Sequence, residues 1–272
     1  MNELTTVIFD MDGTLADTEE VHRLAFNLAF DDFNLDWHWS RQEYAELLVI
    51  SGGKERMRQY AIDRKGFKMP PDIDEYVAGI HKLKTSHYAR MLVEGHVTLR
   101  PGVRRIIDEC RSAGIRMAIA TSSQLSNVTT LLDNNLPADW PTWFELIASC
   151  DIVEAKKPSP AVYQYVLEKL NVSPKECLAL EDTRNGFLSG HAACINTVIT
   201  THYFTRDNDF EGAPLVVDSL GEPDSDEPIE ISGGNPELVD QLSRAETRYI
   251  DLNIFKQIVS DTNNQLNVEQ CA

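Results

Sequence analysis

Asp10 and Asp12 stand one residue apart directly after the apolar segment 7–9, and Gly13 and Thr14 follow them. The apolar segment predicts a buried strand that ends at Asp10. Two carboxylates on a strand end and its first loop can converge on one divalent cation and one substrate, and Mg²⁺ prefers such oxygen ligands. Open α/β sheets bind ligands at the carboxyl ends of their strands. The pair therefore predicts an active site, with a solvated acidic turn as the alternative.

A hydroxyl-rich segment follows a second apolar run, which covers residues 115–120 and predicts another strand. Thr121 heads this segment, TSSQLSN, and a helix is predicted over 125–135. Hydroxyl groups together with the backbone N–H groups of a helix start can bind an anion. Taken alone, the segment is better explained as an ordinary Ser/Thr helix cap.

A lysine and a second acidic pair add to this set of charged groups. Lys157 lies directly before a proline, where its ammonium can neutralise an aspartate and a phosphate, although a lysine in a pair of lysines is usually only solvated. Glu181 and Asp182 follow the apolar run 178–180. They supply the second acidic strand end that a Mg²⁺ site needs, and a charged helix start is the alternative.

Four segments of the chain resemble the motifs of the haloacid dehalogenase superfamily, in the same order: VIFDMDGTLADTEE, TSSQLSN, KKPSP and LEDTRNG. The resemblance implies that Asp10 is the nucleophile and takes the phosphoryl group, and that Asp12 is the acid/base. It places the backbone carbonyl of Asp12 at a Mg²⁺ cofactor and Thr121 at the transferring phosphoryl group. The implied catalytic residues are Asp10, Asp12, Thr121 and Lys157, and the implied metal ligands are Asp10, Asp12, Glu181 and Asp182, with Glu181 binding directly or through water.

The remaining pattern predicts an α/β fold. Alternating strands and helices between residues 103 and 200 imply a parallel sheet with right-handed crossovers. Residues 18–94 show only helical periodicity, so a helical insertion should follow the first strand directly. Four helices are expected in this insertion, near residues 21–33, 40–49, 54–64 and 72–94.

The C-terminal part gives weaker signals. The acidic, proline-bearing segment 221–237 is interpreted as a surface loop or flexible linker. Weak periodicity between Leu242 and Val259 predicts a single helix. We therefore expect a Rossmann-like core formed by residues 1–17 and 97–235, an inserted helical cap formed by residues 18–96, and a helical tail over residues 236–272.

Composition limits the partners. The formal net charge of −18 argues against nucleic acid or an anionic membrane, but a local basic cluster would still accept a phosphorylated substrate. No apolar run of about 20 residues is present, so no membrane span is expected. The five cysteines are odd in number and scattered, which favours reduced thiols over a disulfide framework. We expect a monomer in the cytoplasm.

The helical insertion narrows the resemblance to one branch of the superfamily. It is similar to the cap of the β-phosphoglucomutase-like branch, and most similar to CbbY-type sugar-bisphosphate phosphatases, whose members remove a phosphate from xylulose 1,5-bisphosphate and are associated with the Calvin cycle. The similarity covers roughly residues 5–222. It implies substrate contacts at Glu19, His22, Tyr44, Gly52, Gly53, Lys54, Glu55, Arg56, His81, Lys84, Thr121, Ser122, Ser123 and Asn127.

The types and spacing of the cap residues also indicate a phosphate-binding role, apart from the resemblance. Two adjacent glycines permit close backbone approach, and Lys54 and Arg56 add positive charge. His81 and Lys84 are three residues apart and share a helix face. Together these groups could hold a second phosphate while Asp10 attacks the first. A glycine turn followed by an exposed basic helix end is the alternative, and His22 alone would more often be a packed or surface histidine.

Two residues depart from the superfamily pattern. Thr183 replaces the usual serine after the Glu-Asp pair, which is a mild change. Cys194 stands where glycine is common, so it would be strained if the turn needs a positive φ.

Three functions remain open. The favoured one is a Mg²⁺-dependent phosphatase acting on a sugar phosphate or bisphosphate with a mobile cap. A phosphomutase, which returns the phosphate to the sugar, shares the fold. A catalytically silent protein that only binds phosphorylated metabolites is the third, and intact Asp10, Asp12, Lys157 and Asp182 speak against it.

Overall fold

The computed structural model describes residues 3–50 and 52–265, with side chains described up to residue 261. The chain divides into two compact units. The core unit comprises Met1–Asp17 and Thr98–Ala272, and the cap unit comprises Thr18–Val97. Among the described residues, none of the helices combines the length and apolarity needed to cross a bilayer.

The cap unit is built from helices, as its periodicity predicts. Helix α2 begins with a capping box in which Ser40 and Glu43 satisfy each other's backbone N–H groups. An aromatic cluster around Phe26, Phe30 and Trp39 fills the centre, with ring centroids 4.8 Å apart for Phe26–Trp39 and for Phe30–Trp39. The helices are α1 (Thr18–Asp32), α2 (Arg41–Leu47), α3 (Gly53–Asp63) and α4 (Ile73–Val93).

The core unit contains a seven-stranded sheet in the order β3-β2-β1-β4-β5-β6-β7. The first six strands pair in parallel and β7 pairs antiparallel with β6. Strand β1 is buried along its whole length, which explains why it reads as a continuous apolar run rather than an alternating one. The strands are β1 (Thr6–Phe9), β2 (Arg116–Ala120), β3 (Leu146–Ala148), β4 (Cys177–Glu181), β5 (Asn196–Thr200), β6 (Leu215–Val217) and β7 (Ile231–Gly234).

Helices alternate with the parallel strands and confirm the predicted α/β fold. Helix α7 packs against β2 and β3, and helix α8 packs against β4 and β5. Because β1 lies between β2 and β4, the loops that follow these three strands meet at one edge of the sheet. The core helices are α5 (Val103–Ser112), α6 (Leu125–Asn135), α7 (Ala161–Leu170), α8 (Arg184–Ala192), α9 (Pro236–Arg244) and α10 (Leu252–Gln265).

The C-terminal part differs from the sequence prediction in two ways. The segment 221–237 is not wholly a loop, because residues 231–234 form β7, an edge strand whose sequence ISGG has too few apolar residues to signal a strand. The single tail helix predicted around 242–259 is also wrong. Two helices, α9 and α10, are separated by a turn in which Glu246 has a φ of 47°.

Cys194 differs from expectation in its chemistry and confirms the expected strain. It has a φ of 60°, in the left-handed region that favours glycine. It is also disulfide-bonded, so the expectation of five reduced thiols is wrong at this position. Cys110, Cys150 and Cys177 are free thiols, as expected.

Candidate active site

The candidate site lies at the carboxyl ends of β1, β2 and β4. Asp10 follows β1, and its backbone N–H donates to the carbonyl of Leu180 in β4 at 2.9 Å. The Lys157 ammonium donates to Asp10 Oδ1 at 2.6 Å and to Glu181 Oε1 at 2.5 Å. A third hydrogen bond, 3.0 Å long, joins the ammonium to the carbonyl of Ala120 at the end of β2. One buried lysine therefore links three neighbouring strands.

Burial sets the ionisation of this cluster. It raises the pKa of Asp10 to about 7, against the opposing effect of the Lys157 charge. It also raises the pKa of Glu181, again against Lys157. Burial alone would lower the pKa of Lys157, but the two carboxylates outweigh burial and raise it. The lysine is therefore cationic, and each carboxylate depends on nearby positive charge to remain ionised.

Asp182 completes a buried acidic group. One ligand atom each from Asp10, Glu181 and Asp182 lie within 4.8 Å of one another. Burial raises the pKa of Asp182 as well, and a hydrogen bond from His202 counteracts this. Three buried carboxylates with one lysine among them leave negative charge uncompensated, and carboxylate oxygens are ligands that Mg²⁺ accepts. The residues present therefore fit a divalent cation.

Two glycines allow the carboxylates to approach the backbone. A Cβ atom at Gly186 would lie 1.8 Å from Glu181 Oε2. Gly13 has a φ of +85°, and a Cβ atom there would lie 2.1 Å from Asp182 Oδ2. A side chain at Gly13 or Gly186 would collide with the acidic group, so both positions require glycine for lack of space.

The predicted acid/base and phosphate residues lie in the adjoining loops. Ser123 Oγ donates to Asp12 Oδ2 in a short hydrogen bond. The backbone N–H of Ser123 donates to Thr121 Oγ1 at 3.0 Å. Ser122 is exposed and Asn127 is half-buried, in the turn before α6 and in its first turn. Ser123 therefore joins the turn after β2 to Asp12 in the loop after β1. Among the described residues, the side chains of Ser122 and Asn127 make no hydrogen bond.

Within the cap unit, three predicted residues form one hydrogen-bonded chain. Arg56 Nη1 donates to the hydroxyl oxygen of Tyr44 at 3.0 Å, and that hydroxyl donates to Glu19 Oε1 at 2.6 Å. The other nitrogens of Arg56 donate to the carbonyls of Leu47 and Ile50 at 3.1 and 3.3 Å. Arg56 is only 8% exposed, so it stabilises the interior of the cap and fixes Tyr44.

A second cap cluster surrounds Lys84. Its ammonium lies 2.7 Å from His22 Nδ1 and 5.0 Å from the ring centroids of both Phe26 and Tyr88. The His22 ring stacks on Tyr88 with centroids 4.0 Å apart. Burial and the nearby Lys84 charge lower the pKa of His22 well below its usual value, so the imidazole is neutral and accepts from the ammonium. The cluster therefore places the Lys84 charge against three uncharged rings.

The glycine segment of the cap adjoins this cluster. Gly52 has a φ of +94° and caps α3, and a Cβ atom there would lie 2.1 Å from Glu55 Oε2. A Cβ atom at Gly53 would lie 3.2 Å from two atoms of the His81 ring, so His81 and Gly53 are neighbours. Lys54 and Glu55 are exposed.

Sequence reasoning missed two residues that contact the acidic group. The Tyr163 hydroxyl donates to Glu181 Oε1 at 2.6 Å, and His202 Nε2 lies 2.9 Å from Asp182 Oδ2. His202 comes just after β5, so the rule that ligand-binding groups follow parallel strands could have found it. Tyr163 lies inside α7, where its hydroxyl gives no such signal.

Sequence reasoning also missed the role of Arg100. Its guanidinium donates to the backbone carbonyl of Gly13 and, at 2.8 and 2.6 Å, to those of Thr200 and Thr201. A half-buried arginine that donates to these carbonyls fixes the loop after β1 against the end of β5. No feature of the sequence around Arg100 indicates this contact.

A parallel α/β core with a helical insertion after its first strand, and a buried Asp–Lys–acid cluster at its carboxyl edge, defines a hydrolase of the phosphatase type. The family model of haloacid dehalogenase-like hydrolases matches residues 7–200. The chain belongs to this family.

Its relatives include CbbY proteins. The plasmid-encoded CbbY protein of Cupriavidus necator is 42% identical over 235 residues, which cover 85% of this chain and 91% of that one. Two crystal structures of CbbY from Rhodobacter sphaeroides are similar to this chain. The complex with phosphate is 40% identical in sequence, and the complex of an Asp-to-Asn variant with xylulose 1,5-bisphosphate is 39% identical. Both give a TM-score of 0.68 and cover 79% of this chain and 94% of theirs. A phosphorylated-carbohydrate phosphatase of Thermotoga maritima is 28% identical over 72% of this chain and 84% of that one.

Proposed function

We propose that this chain is a Mg²⁺-dependent phosphatase that hydrolyses xylulose 1,5-bisphosphate through an aspartyl-phosphate at Asp10. The observation that carries the proposal is the Lys157 ammonium, held 2.6 Å from Asp10 and 2.5 Å from Glu181 inside a buried acidic cluster. This arrangement keeps a carboxylate ionised in a site poor in water, where it can act as a nucleophile.

In the first step, Asp10 attacks phosphorus and the bond from phosphorus to the sugar oxygen breaks. Asp12 donates a proton to that oxygen, so the sugar leaves as an alcohol. The hydrogen bond from Ser123 fixes the orientation of the Asp12 carboxyl group. Lys157 compensates the charge on Asp10 and on the phosphoryl group.

In the second step, Asp12 accepts a proton from a water molecule, which attacks the phosphorus. The bond between phosphorus and Asp10 breaks, phosphate leaves, and the Asp10 carboxylate is restored. The hydroxyl of Thr121 and the backbone N–H groups at the start of α6 can bind the phosphoryl oxygens. Asp12 thus acts first as an acid and then as a base. Water is the only reactant besides the substrate, and both steps balance.

The side chains of Asp10 and Asp182 and the carbonyl of Asp12 would hold Mg²⁺. Glu181 is the less available ligand, because its Oε1 already accepts from Lys157 and from Tyr163. When bound, Mg²⁺ supplies positive charge that lowers the cost of ionising the carboxylates and of bringing a phosphate dianion beside them.

Two observations support a bisphosphate substrate. The cap unit carries the cation Lys84, whose ammonium packs against the Phe26 and Tyr88 rings, and His81 lies close enough to feel the charges of Lys84 and Lys54. A relative that is 39% identical binds xylulose 1,5-bisphosphate. A second phosphate needs cations that are not used in catalysis, and the cap residues supply them.

The proposal is tested by measuring phosphate release from a panel of sugar phosphates with Mg²⁺. We expect xylulose 1,5-bisphosphate to give the highest kcat/KM and xylulose 5-phosphate a lower one. Interconversion of glucose 1-phosphate and glucose 6-phosphate without phosphate release would instead establish the phosphomutase. Binding without turnover on any substrate would establish the silent binding protein.

A further inference from the structure

His202 lies against the acidic cluster although it belongs to none of the four motifs. It follows β5 by two residues, and its Nε2 atom lies 2.9 Å from Asp182 Oδ2. The side chains are 6% and 4% exposed. The His202 imidazole and the Asp182 carboxylate are therefore shielded from water, and the Asp182 oxygen that faces His202 is hydrogen-bonded to it.

The protein fixes which ring nitrogen carries the proton. The backbone N–H of Phe204 points at His202 Nδ1 at a distance of 3.3 Å. An amide N–H can only donate, so Nδ1 accepts. Nε2 therefore carries a proton, which it donates to Asp182 Oδ2.

The turn that holds the ring is closed by its own hydrogen bonds. The backbone N–H of His202 donates to Thr205 Oγ1 at 3.1 Å, and the N–H of Thr205 donates to the carbonyl of His202 at 3.0 Å. The Phe204 ring packs edge-on against the imidazole, with centroids 5.9 Å apart. The imidazole is thus held in one orientation by residues 202–205.

The opposite side of the pair is closed by the loop after β1. A Cβ atom at Gly13 would lie 2.1 Å from Asp182 Oδ2 and 2.9 Å from His202 Nε2. The backbone of this loop therefore packs directly on the hydrogen bond. Asp182 cannot rotate its Oδ2 away from His202 without losing a buried hydrogen bond.

We propose that His202 is a positioning residue for the metal site: its Nε2–H fixes Oδ2 of Asp182 and leaves Oδ1 for the cation. This inference rests on the proposed function, in which Asp182 binds Mg²⁺. Groups that orient a metal ligand from behind typically change metal affinity or activity 10–100-fold when they are removed. His202 acts through Asp182 and does not touch the substrate.

The first test measures Mg²⁺ binding to the free enzyme by calorimetry, with no substrate present. His202→Phe removes the donor and keeps a ring, and we expect a loss of affinity of roughly 10–100-fold. In His202→Gln the side-chain amide can donate from the same place, so affinity should stay close to that of the wild type. His191→Phe, at an exposed position of α8, is the matched control, and it should bind Mg²⁺ normally.

The outcomes separate the inference from the proposed function. If Asp182→Asn binds Mg²⁺ as tightly as the wild type, the proposed metal site is wrong and the inference falls with it. If Asp182→Asn loses Mg²⁺ while His202→Phe binds it normally, only the inference is overturned. Equal losses in His202→Phe and His202→Gln would show that a donor at this position does not matter and that His202 is merely structural, which also overturns it.

The second test uses the wild-type protein and does not depend on a variant that folds. The ¹⁵N chemical shifts of labelled histidine report which ring nitrogen is protonated. We expect a proton on Nε2 of His202. An Nε2 atom without a proton would leave no donor for Asp182 Oδ2 and would overturn the inference.

Discussion

The core cluster around Asp10 and the cap cluster around Lys84 both bury a lysine, but in opposite surroundings. Lys157 lies between two carboxylates, whereas Lys84 lies against a neutral imidazole and two aromatic rings. The core therefore has an excess of negative charge, which suits a cation. In the cap, a positive charge lies against uncharged rings, which suits an anion.

The difference indicates how work is divided in the molecule. In the core, the carboxylates are fixed by strand ends and glycine loops, which suits chemistry on one phosphoryl group whatever sugar carries it. In the cap, the charged groups are side chains of α1, α3 and α4, and we expect their exchange to alter binding without altering the reacting atoms. We infer that the core carries the reaction and that the cap selects the substrate.

Replacing the nucleophile should give the largest effect. Asp10→Asn removes the carboxylate that attacks phosphorus, and we expect kcat to fall by roughly 10⁴-fold or more, as for nucleophiles of other covalent enzymes. Circular dichroism should show an unchanged fold, because the amide fits the same space. Near-wild-type turnover by Asp10→Asn would exclude the covalent mechanism.

Removing the metal should affect the core and spare the cap. Excess chelator should stop turnover, and added Mg²⁺ should restore it, because three buried carboxylates need a cation to remain ionised. The melting temperature should rise on adding Mg²⁺, since the ion binds the folded state. Full activity in excess chelator would show that the acidic cluster works without a metal.

Truncating the cap lysine should have an intermediate effect that depends on the substrate. A hydrogen bond to a charged group contributes about 1.5–3 kcal/mol, which corresponds to roughly 10–150-fold in kcat/KM. Lys84→Ala should lose this factor on a pentulose bisphosphate and much less on the monophosphate. Lys82→Ala, at an exposed position of the same helix, is the control and should lose little on either. Equal losses on both substrates would show that Lys84 does not contact the second phosphate.

The smallest expected effect is on stability and comes from His22, whose folded-state pKa is lowered. An unfolded chain takes up this proton near pH 6.5, but the folded chain does not, so stability is present above that pH and is lost below it. We expect His22→Asn to reduce the fall in the unfolding free energy between pH 7 and pH 5, by at most about 1.4 kcal/mol per pH unit. Urea titrations at several pH values measure this, with His38→Asn, at an exposed position, as the control. An unchanged pH dependence would contradict a buried neutral His22.

The sequence assigns Asp10, Thr121 and Glu181 to one edge of a sheet because each directly follows an apolar run. Lys157 follows no such run, and only the resemblance to the superfamily singled it out. The roles of His202 and Tyr163 could not be predicted from the sequence. They depend on which carboxylate lies opposite each side chain, and tertiary packing decides that.

The cap and the C-terminal part were less predictable for different reasons. Helical spacing puts Arg56 near the glycine turn, but its inward direction is set by the carbonyls of Leu47 and Ile50, which no pattern reveals. Strand β7 is a half-exposed edge with two glycines, so it lacks the apolar run that marked the central strands. Short, weakly apolar elements are specified by their neighbours more than by their own residues.

The division of labour is tested most directly by one ratio: kcat/KM for xylulose 1,5-bisphosphate over kcat/KM for xylulose 5-phosphate, measured in the wild type, Asp12→Asn and Lys84→Ala. Asp12→Asn should lower both values by a similar factor of roughly 10²–10⁴ and leave the ratio unchanged, because it removes acid–base help that both substrates use. Lys84→Ala should lower the ratio about 10–150-fold. A ratio that changes in Asp12→Asn, or that stays constant in Lys84→Ala, would contradict the separation of chemistry in the core from selection in the cap.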